Sequence, residues 1–293
     1  RFLPRETRPT SANCAFNASD HSLGAEALKS TTTPSIAIAW QRSPHAIQDA
    51  PSATNSFTHG VSLEQWDRLG ILDREIKPYK TMVETGEALV TFLTYGGTND
   101  LSYAKSLGGI EVLPAFRSSN PPSSHILKIL AGFLSLWRFR KTLQKINIFK
   151  SNQMLGSHLA WICANLFHAK SLIRTGYEFY DFAQKRKLKK KFHALAWIIS
   201  YCSYKIADMV VVSSEADRIV AMQNFNVPLE KIEIQPNWID TDLFSPAAQI
   251  DAPKRDLITV GRLDPQKNLF KLLQAVKKAN CSLDIVGAGP LNE

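Results

Sequence analysis

The chain has 293 residues, of which 44% are hydrophobic and 21% are charged. This composition is too apolar for a disordered tail, and at ~100–200 residues per domain the length predicts two domains. Lysine and arginine outnumber aspartate and glutamate by 35 to 26, and the net charge of +9 leaves nucleic acid, a phospholipid surface and a phosphorylated small molecule open as anionic partners.

The first 55 residues are predicted to be a poorly ordered leader. They are rich in Ser, Thr, Ala and Pro, only residues 35–40 resemble a strand, and residues 53–56 are more polar than a buried strand. The longest apolar stretches, 126–137 and 192–202, are shorter than the ~20 residues that span a bilayer. With no signal peptide pattern and no cysteine pair, we expect a cytoplasmic protein.

From Phe57 onward, helical and strand patterns alternate. One predicted helix ends at residue 85, and the others cover 101–107, 124–143, 156–167, 181–207 and 215–223. Predicted strands cover 88–93, 110–114, 146–150, 171–175, 208–214 and 231–235. This alternation predicts an α/β domain with a doubly wound parallel sheet, which we bound at residues 56–245. A strand at 257–260, a helix at 268–278 and a strand at 282–286 then begin a second α/β unit, residues 246–293.

The sharpest motif is Gly-Arg-Leu-Asp-Pro-Gln-Lys-Asn at residues 261–268, which joins a predicted strand to a predicted helix. The N-terminus of a helix at the carboxyl end of a parallel strand favours a phosphate. Arg262 and Lys267 would add two cations, which lower the barrier when a departing diphosphate gains charge. The alternative is that both are solvated charges in an ordinary turn.

Three C-terminal segments carry a resemblance to a known family. They are residues 236–246, beginning Pro-Asn; the loop at 261–268; and Ile-Val-Gly-Ala-Gly-Pro at 285–290. In order and spacing they resemble glycosyltransferase family 4, which has the GT-B fold of two Rossmann-like domains. The segments 57–66, 92–96, 150–153 and 174–177 are similar to the acceptor domain of that family. Members carry a further Glu-x7-Glu motif beyond the point where this sequence ends, so we expect a fragment truncated within the second domain and inactive alone.

The resemblance implies a retaining transfer from a UDP-, GDP- or similar nucleotide sugar to a glycan, a lipid-linked or a small-molecule acceptor, in polysaccharide or glycolipid biosynthesis. It implies no cofactor and no obligatory metal. Arg262 and Lys267 match the catalytic pair that binds the diphosphate. Donor-binding positions are Gly60, Gly261, Arg262, Lys267 and Gly287. Acceptor-side positions are Arg174, Gly176, Tyr177 and His59.

A basic run lies beside an apolar, aromatic stretch at 192–201, and consists of Lys185, Arg186, Lys187, Lys189, Lys190 and Lys191. This pattern predicts contact with an anionic membrane surface and therefore a peripheral membrane protein; the alternative is a solvated helix over core residues. No nucleic-acid recognition motif accompanies the run, so nucleic acid is not expected.

The seven histidines form no pair at metal-ligand spacing, and no metal site is predicted. Two rival functions stay open from the sequence. One is another GT-B activity, such as a nucleotide-sugar epimerase or a phosphorylase. The other is a non-catalytic module, derived from a transferase, that binds membranes or anionic polymers.

Overall fold

The structure, a computed structural model, describes residues 51–56, 59–176, 178–185, 190–241, 243–245 and 255–291. The chain divides into two compact units, the first ending at Ile239 and the second beginning at Asp240. The sequence placed this boundary between residues 245 and 246. Each unit is described by itself.

The first unit is built on a seven-stranded sheet in which all neighbouring strands are parallel. The strands are β1 (Ser52–Ser56), β2 (Leu89–Thr94), β3 (Glu111–Pro114), β4 (Ile148–Ser151), β5 (Lys170–Thr175), β6 (Met209–Val212) and β7 (Ile232–Ile234). Their order is β3-β2-β1-β4-β5-β6-β7, so the direction of winding reverses between β1 and β4. The predicted doubly wound α/β sheet is confirmed, and the reversal creates a crevice where ligands bind in such folds.

Helices connect the strands. They are α1 (Leu63–Arg68), α2 (Leu72–Glu84), α3 (His125–Arg138), α4 (Arg140–Leu143), α5 (Ser157–Leu166), α6 (Phe179–Lys185), α7 (Lys190–Ile206) and α8 (Glu215–Phe225), with 3₁₀ segments at Thr98–Leu107, Met154–Gly156 and Leu229–Lys231. The single helix predicted at 124–143 breaks at Phe139, whose backbone is not helical. Arg138 there donates to the carbonyl oxygens of Pro114 and Ala115, tying the break to the end of β3. Within the described ranges, no helix is both long and apolar enough to cross a membrane.

The sheet is covered on both faces, and β6 shows how. Met209 and Val211 belong to a core cluster with residues of α1 and α2, while Val210 and Val212 belong to a second cluster with residues of α5 and α7. All four side chains are buried. A continuous apolar run is what a central parallel strand needs, because its successive side chains point to opposite covered faces.

Strand β1 corrects the prediction that the leader extends to residue 55. It lies in the middle of the sheet, paired with β2 on one side and β4 on the other, and Ala53, Thr54 and Asn55 are fully buried. Backbone hydrogen bonds to two neighbours outweigh the polar side chains, and Asn55 accepts a hydrogen bond from the Lys150 amine (3.4 Å). Residues 1–50, including the predicted strand at 35–40, lie outside the described residues.

The second unit contains β8 (Leu257–Val260), α9 (Leu269–Ala279) and β9 (Leu283–Val286), with a 3₁₀ turn at Pro265–Lys267. Strands β8 and β9 pair in parallel, as expected for a strand-helix-strand unit. Their apolar side chains are largely open to solvent within residues 255–291; Val260, for example, is 73% exposed.

Candidate functional site

The crevice at the sheet reversal is formed by the loops that follow β1 and β4. The backbone N–H of His59 donates to the carbonyl of Leu155 (2.7 Å), and the N–H of Tyr95 donates to the carbonyl of Val61 (3.0 Å). The loop after β1 is thus fixed between the carboxyl ends of β2 and β4. Gly60 has a left-handed backbone (φ 78°), and a Cβ there would lie 3.3 Å from the Lys128 amine. Glycine therefore permits both the turn and the close approach of this cation.

Three histidines meet at this crevice. The ring of His59 lies 5.8 Å from that of His125 and 6.4 Å from that of His158, and 5.0 Å edge-on from that of Tyr95. We call these four residues and Lys128 the histidine cluster. The sequence singled out only His59, because spacing rules detect histidines that are close along the chain. A usable signal existed, since each histidine lies after the carboxyl end of a strand, where loops of a parallel sheet converge.

Burial favours the uncharged forms of three side chains in the histidine cluster. It lowers the pKa of His59, with smaller contributions from the charges of His125 and Lys128. It also lowers the pKa of His158 to about 4, assisted by His59. Burial raises the pKa of Tyr95, whose hydroxyl lies 3.3 Å from Nε2 of His158. At neutral pH His59, His158 and Tyr95 therefore offer neutral hydrogen-bonding groups, suited to hydroxyls, beside the Lys128 amine.

A second group of polar side chains lies beside this crevice, near the carboxyl ends of β4 and β5. The Lys150 amine is buried and donates to the Tyr79 hydroxyl (2.7 Å). Burial, with the nearby charge of Arg174, lowers the pKa of Lys150 well below its usual value. Arg174 is half-buried and donates to the side-chain oxygen of Asn237 (3.0 Å). Arg174 and Asn237, which belong to two segments of the family resemblance, therefore meet within the first unit.

Gly176 is held by hydrogen bonds on both sides. Its N–H donates to the Gln153 side chain (3.2 Å), and its carbonyl accepts from the Ser213 hydroxyl (2.7 Å). Tyr177 lies outside the described residues. Glu178 is buried, accepts from the Asp181 N–H (2.6 Å) and the Ser200 hydroxyl (2.7 Å), and so anchors the start of α6 against α7. This contact gives Glu178 a structural role.

In the second unit, the segments that follow β8 and β9 run side by side. The N–H of Gly261 donates to the carbonyl of Val286 (2.9 Å), and the N–H of Leu263 donates to that of Ala288 (3.0 Å). A Cβ on Gly287 would overlap the carbonyl oxygen of Gly261, and one on Gly289 would overlap that of Leu263. Both glycines are therefore required by the close approach of two backbones.

Arg262 and Lys267 project from the loop that this contact shapes. Both are exposed, and neither forms an ion pair within residues 255–291 as described. Asp264 caps the intervening 3₁₀ turn by accepting from the Gln266 N–H (2.9 Å), and Asn268, in a left-handed conformation, leads into α9. The loop thus presents two exposed cations close to the start of an eleven-residue helix.

The basic run falls largely outside the described residues. Arg186, Lys187 and Lys189 are not described, the backbones but not the side chains of Lys185 and Lys191 are, and the Lys190 side chain is exposed at the start of α7. In the part of the chain that the structure describes, no three His, Cys, Asp or Glu side chains converge to hold a metal ion.

No family model matches the chain. Over 112 residues it is 32% identical to the N-acetylgalactosamine-N,N'-diacetylbacillosaminyl-diphospho-undecaprenol 4-alpha-N-acetylgalactosaminyltransferase of Campylobacter jejuni, a match that spans 36% of this chain and 30% of that relative.

Solved structures match over more of the chain. A glycosyltransferase from Rickettsia africae superposes with a TM-score of 0.50 at 13% identity, over 83% of this chain and 69% of its own. HepE of Anabaena, in complex with UDP, superposes with a TM-score of 0.48 at 13% identity, over 83% of this chain and 70% of HepE. With its doubly wound parallel sheet and a second, strand-helix-strand unit, the chain has the fold of the GT-B glycosyltransferases.

Proposed function

We propose that the chain is part of a retaining glycosyltransferase of the family-4 type, which uses a nucleotide sugar as donor. The observation that carries this proposal is the loop after β8, in a chain of GT-B fold. Two glycines at 287 and 289 let the neighbouring backbone pack against this loop, which presents Arg262 and Lys267 beside the start of α9. Such a loop is suited to a diphosphate.

In the proposed reaction, the bond between the anomeric carbon of the sugar and the diphosphate oxygen breaks, and its electron pair stays on the diphosphate. The acceptor oxygen forms the new bond to that carbon, and its proton passes to the departing diphosphate. Arg262 and Lys267 stabilise the charge that develops on the diphosphate, which lowers the barrier. Gly261 and Gly287 act by shaping the loop, and Gly60 acts by admitting Lys128 to the crevice.

The acceptor would bind at the first unit. The neutral imidazoles of His59 and His158 and the Tyr95 hydroxyl fit the hydroxyls of a sugar, and Lys128 fits a phosphate. Arg174, Gly176 and Tyr177 would form the neighbouring part of this site. The Campylobacter jejuni relative acts, by its name, on a sugar linked to diphospho-undecaprenol. We infer a glycan or lipid-linked acceptor here and a peripheral position at the cytoplasmic face of a membrane.

The test is a titration of the chain with UDP and with GDP. Replacing Arg262 and Lys267 together by Ala should weaken binding roughly tenfold or more, ~1.4 kcal/mol, because the phosphates lose two cations. Lys277 and Lys278, exposed in the last turn of α9, provide the matched control: their double change to Ala removes the same charge from the same unit and should leave affinity nearly unchanged. Equal losses in both variants, or no binding by the parent chain, would contradict the proposal.

A further inference from the structure

The outward face of α3 is apolar and open. Trp137 is 74% exposed and Leu134 is 68% exposed, and the same face carries Ile126, Leu127, Ile129, Leu130 and Phe133. The inward face, by contrast, consists of Ala131, Gly132, Ser135 and Leu136, which are buried. Contiguous exposed apolar surface of this kind marks a place where something docks.

The charged residues near α3 in the sequence have one sign. No Asp or Glu occurs between Glu111 and Glu178, a stretch that includes the whole helix. Arg140, Lys141 and Lys145 are exposed just beyond its C-terminus. The guanidinium of Arg140 lies 5.9 Å from the centre of the Trp137 ring. An apolar helical face edged by cations and an aromatic ring complements a bilayer with anionic headgroups.

We propose that this face of α3 docks on an anionic phospholipid bilayer, with the helix lying in the plane of the interface. At ~1.5 Å per residue the 14-residue helix is about 21 Å long, too short for the ~30 Å hydrocarbon core, so it lies on the bilayer rather than across it. This surface is distinct from the basic run at 185–191, which precedes and enters α7.

Docking through α3 places the histidine cluster near the lipid. His125 is the first residue of α3, and Lys128, one turn later, reaches Gly60 in the crevice. One helix therefore joins the docking face to the proposed acceptor site. The docking does not depend on sugar transfer; only the delivery of a lipid-linked acceptor to the cluster rests on the proposed function.

The test is flotation of the chain with vesicles of phosphatidylcholine, with and without phosphatidylglycerol. Flotation separates bound protein, which rises, from aggregate, which sinks. We expect binding to the vesicles that contain phosphatidylglycerol and less binding at high salt. The double variant Leu134→Glu, Trp137→Glu should bind these vesicles at least about tenfold more weakly, because two apolar anchors become anions.

Leu69 and Leu89 provide the control, because they are 64% and 65% exposed on other elements of the first unit. Their double change to Glu introduces the same charge and should leave flotation within about twofold of the parent chain. Nucleotide titration of the same variants keeps the proposed function separate, since the α3 changes should not alter UDP or GDP affinity.

Several results would overturn the proposal. One is a parent chain that does not float, and another is an equal loss in the control variant. A dimer that dissociates in the α3 variant would assign the face to a second copy. If the unfolding midpoint fell in the α3 variant and not in the control variant, the face would be a surface on which another part of this chain packs. Loss of flotation on changing the cations of 185–191 to Gln, with none in the α3 variant, would move the docking surface to the basic run.

Discussion

Strands β6 and β8 have similar apolar sequences, Met-Val-Val-Val and Leu-Ile-Thr-Val, yet they lie in different surroundings. Strand β6 lies between β5 and β7 with helices over both faces, and all its side chains are buried. Strand β8 pairs with β9, and within residues 255–291 Ile258 and Val260 remain exposed. The comparison teaches that a local sequence decides whether a strand forms, whereas burial depends on neighbours supplied by distant parts of the chain.

The largest expected difference comes from a matched pair of phenylalanines. Phe149 is fully buried on β4, and Phe270 is 67% exposed on α9. Phe149→Ala should reduce the free energy of unfolding of the first unit by ~3–5 kcal/mol, because it leaves a cavity, whereas Phe270→Ala should change stability by less than ~0.5 kcal/mol. Urea unfolding followed by circular dichroism measures both. Similar losses would mean that the second unit is as well packed as the first.

The next effect concerns charge. In the first unit, burial lowers the pKa of His158 to about 4. In the second unit, hydrogen bonds from Ser282 lower the pKa of Asp256. In the unfolded chain the pKa of a histidine is ~6.5. Below that pH the unfolded chain binds a proton at His158 that the folded chain does not. The contribution of His158 should therefore lower the free energy of unfolding of the first unit by roughly 2–3 kcal/mol between pH 6.5 and 4.

His158→Gln isolates this effect, because glutamine does not titrate. Burial raises the pKa of Asp100 and Glu178, and these carboxyls favour the folded state as pH falls, opposite in sign to His158. The difference between the parent chain and the variant cancels their contribution. Unfolding midpoints that decline equally in both chains from pH 6.5 to 4 would show that His158 is protonated in the folded state.

A third pair compares two glycines. Gly287 in the second unit abuts the Gly261 carbonyl, whereas a Cβ on Gly70, in the first unit, would meet nothing within 4 Å. Gly287→Ala should lower the free energy of unfolding by roughly 1–3 kcal/mol, because the backbones of the two loops must separate. The same change should weaken nucleotide binding. Gly70→Ala should cost only about 1 kcal/mol, since its φ of 64° disfavours a side chain. Unchanged nucleotide affinity in the Gly287 variant would show that binding does not need the contact between the two loops.

The smallest effect concerns helix capping. The Ser214 hydroxyl accepts from the Asp217 N–H (3.2 Å) at the start of α8, and Asp264 caps the short 3₁₀ turn before α9. Ser214→Ala should cost ~1 kcal/mol of unfolding free energy. Asp264→Ala should cost less, because the turn it caps has three residues and is exposed. A larger loss for Asp264 would show that the 261–268 loop stabilises the second unit more than its exposure indicates.

Much of the fold was readable from the sequence because its strands are apolar and its helices periodic. The 257–260 strand and the loop that carries Arg262 and Lys267 lie where predicted, next to glycines that the family resemblance named. Strand β1 was missed because its pairing with β2 and β4 outweighs the polarity of Thr54 and Asn55. The contacts of His59 with His125 and His158 could not be predicted from spacing, because the sheet order that brings them together is a property of the whole first unit.

The burial of Lys150 has a practical consequence. Its amine is enclosed by Tyr79 and Asn55 in the interior of the first unit, so a reagent that acylates amines cannot reach it while the sheet is intact. Exposed lysines of the first unit, such as Lys145, should react at once. The extent of acylation at Lys150, read by mass spectrometry, would then record how often the first unit opens, with no probe attached and no residue changed.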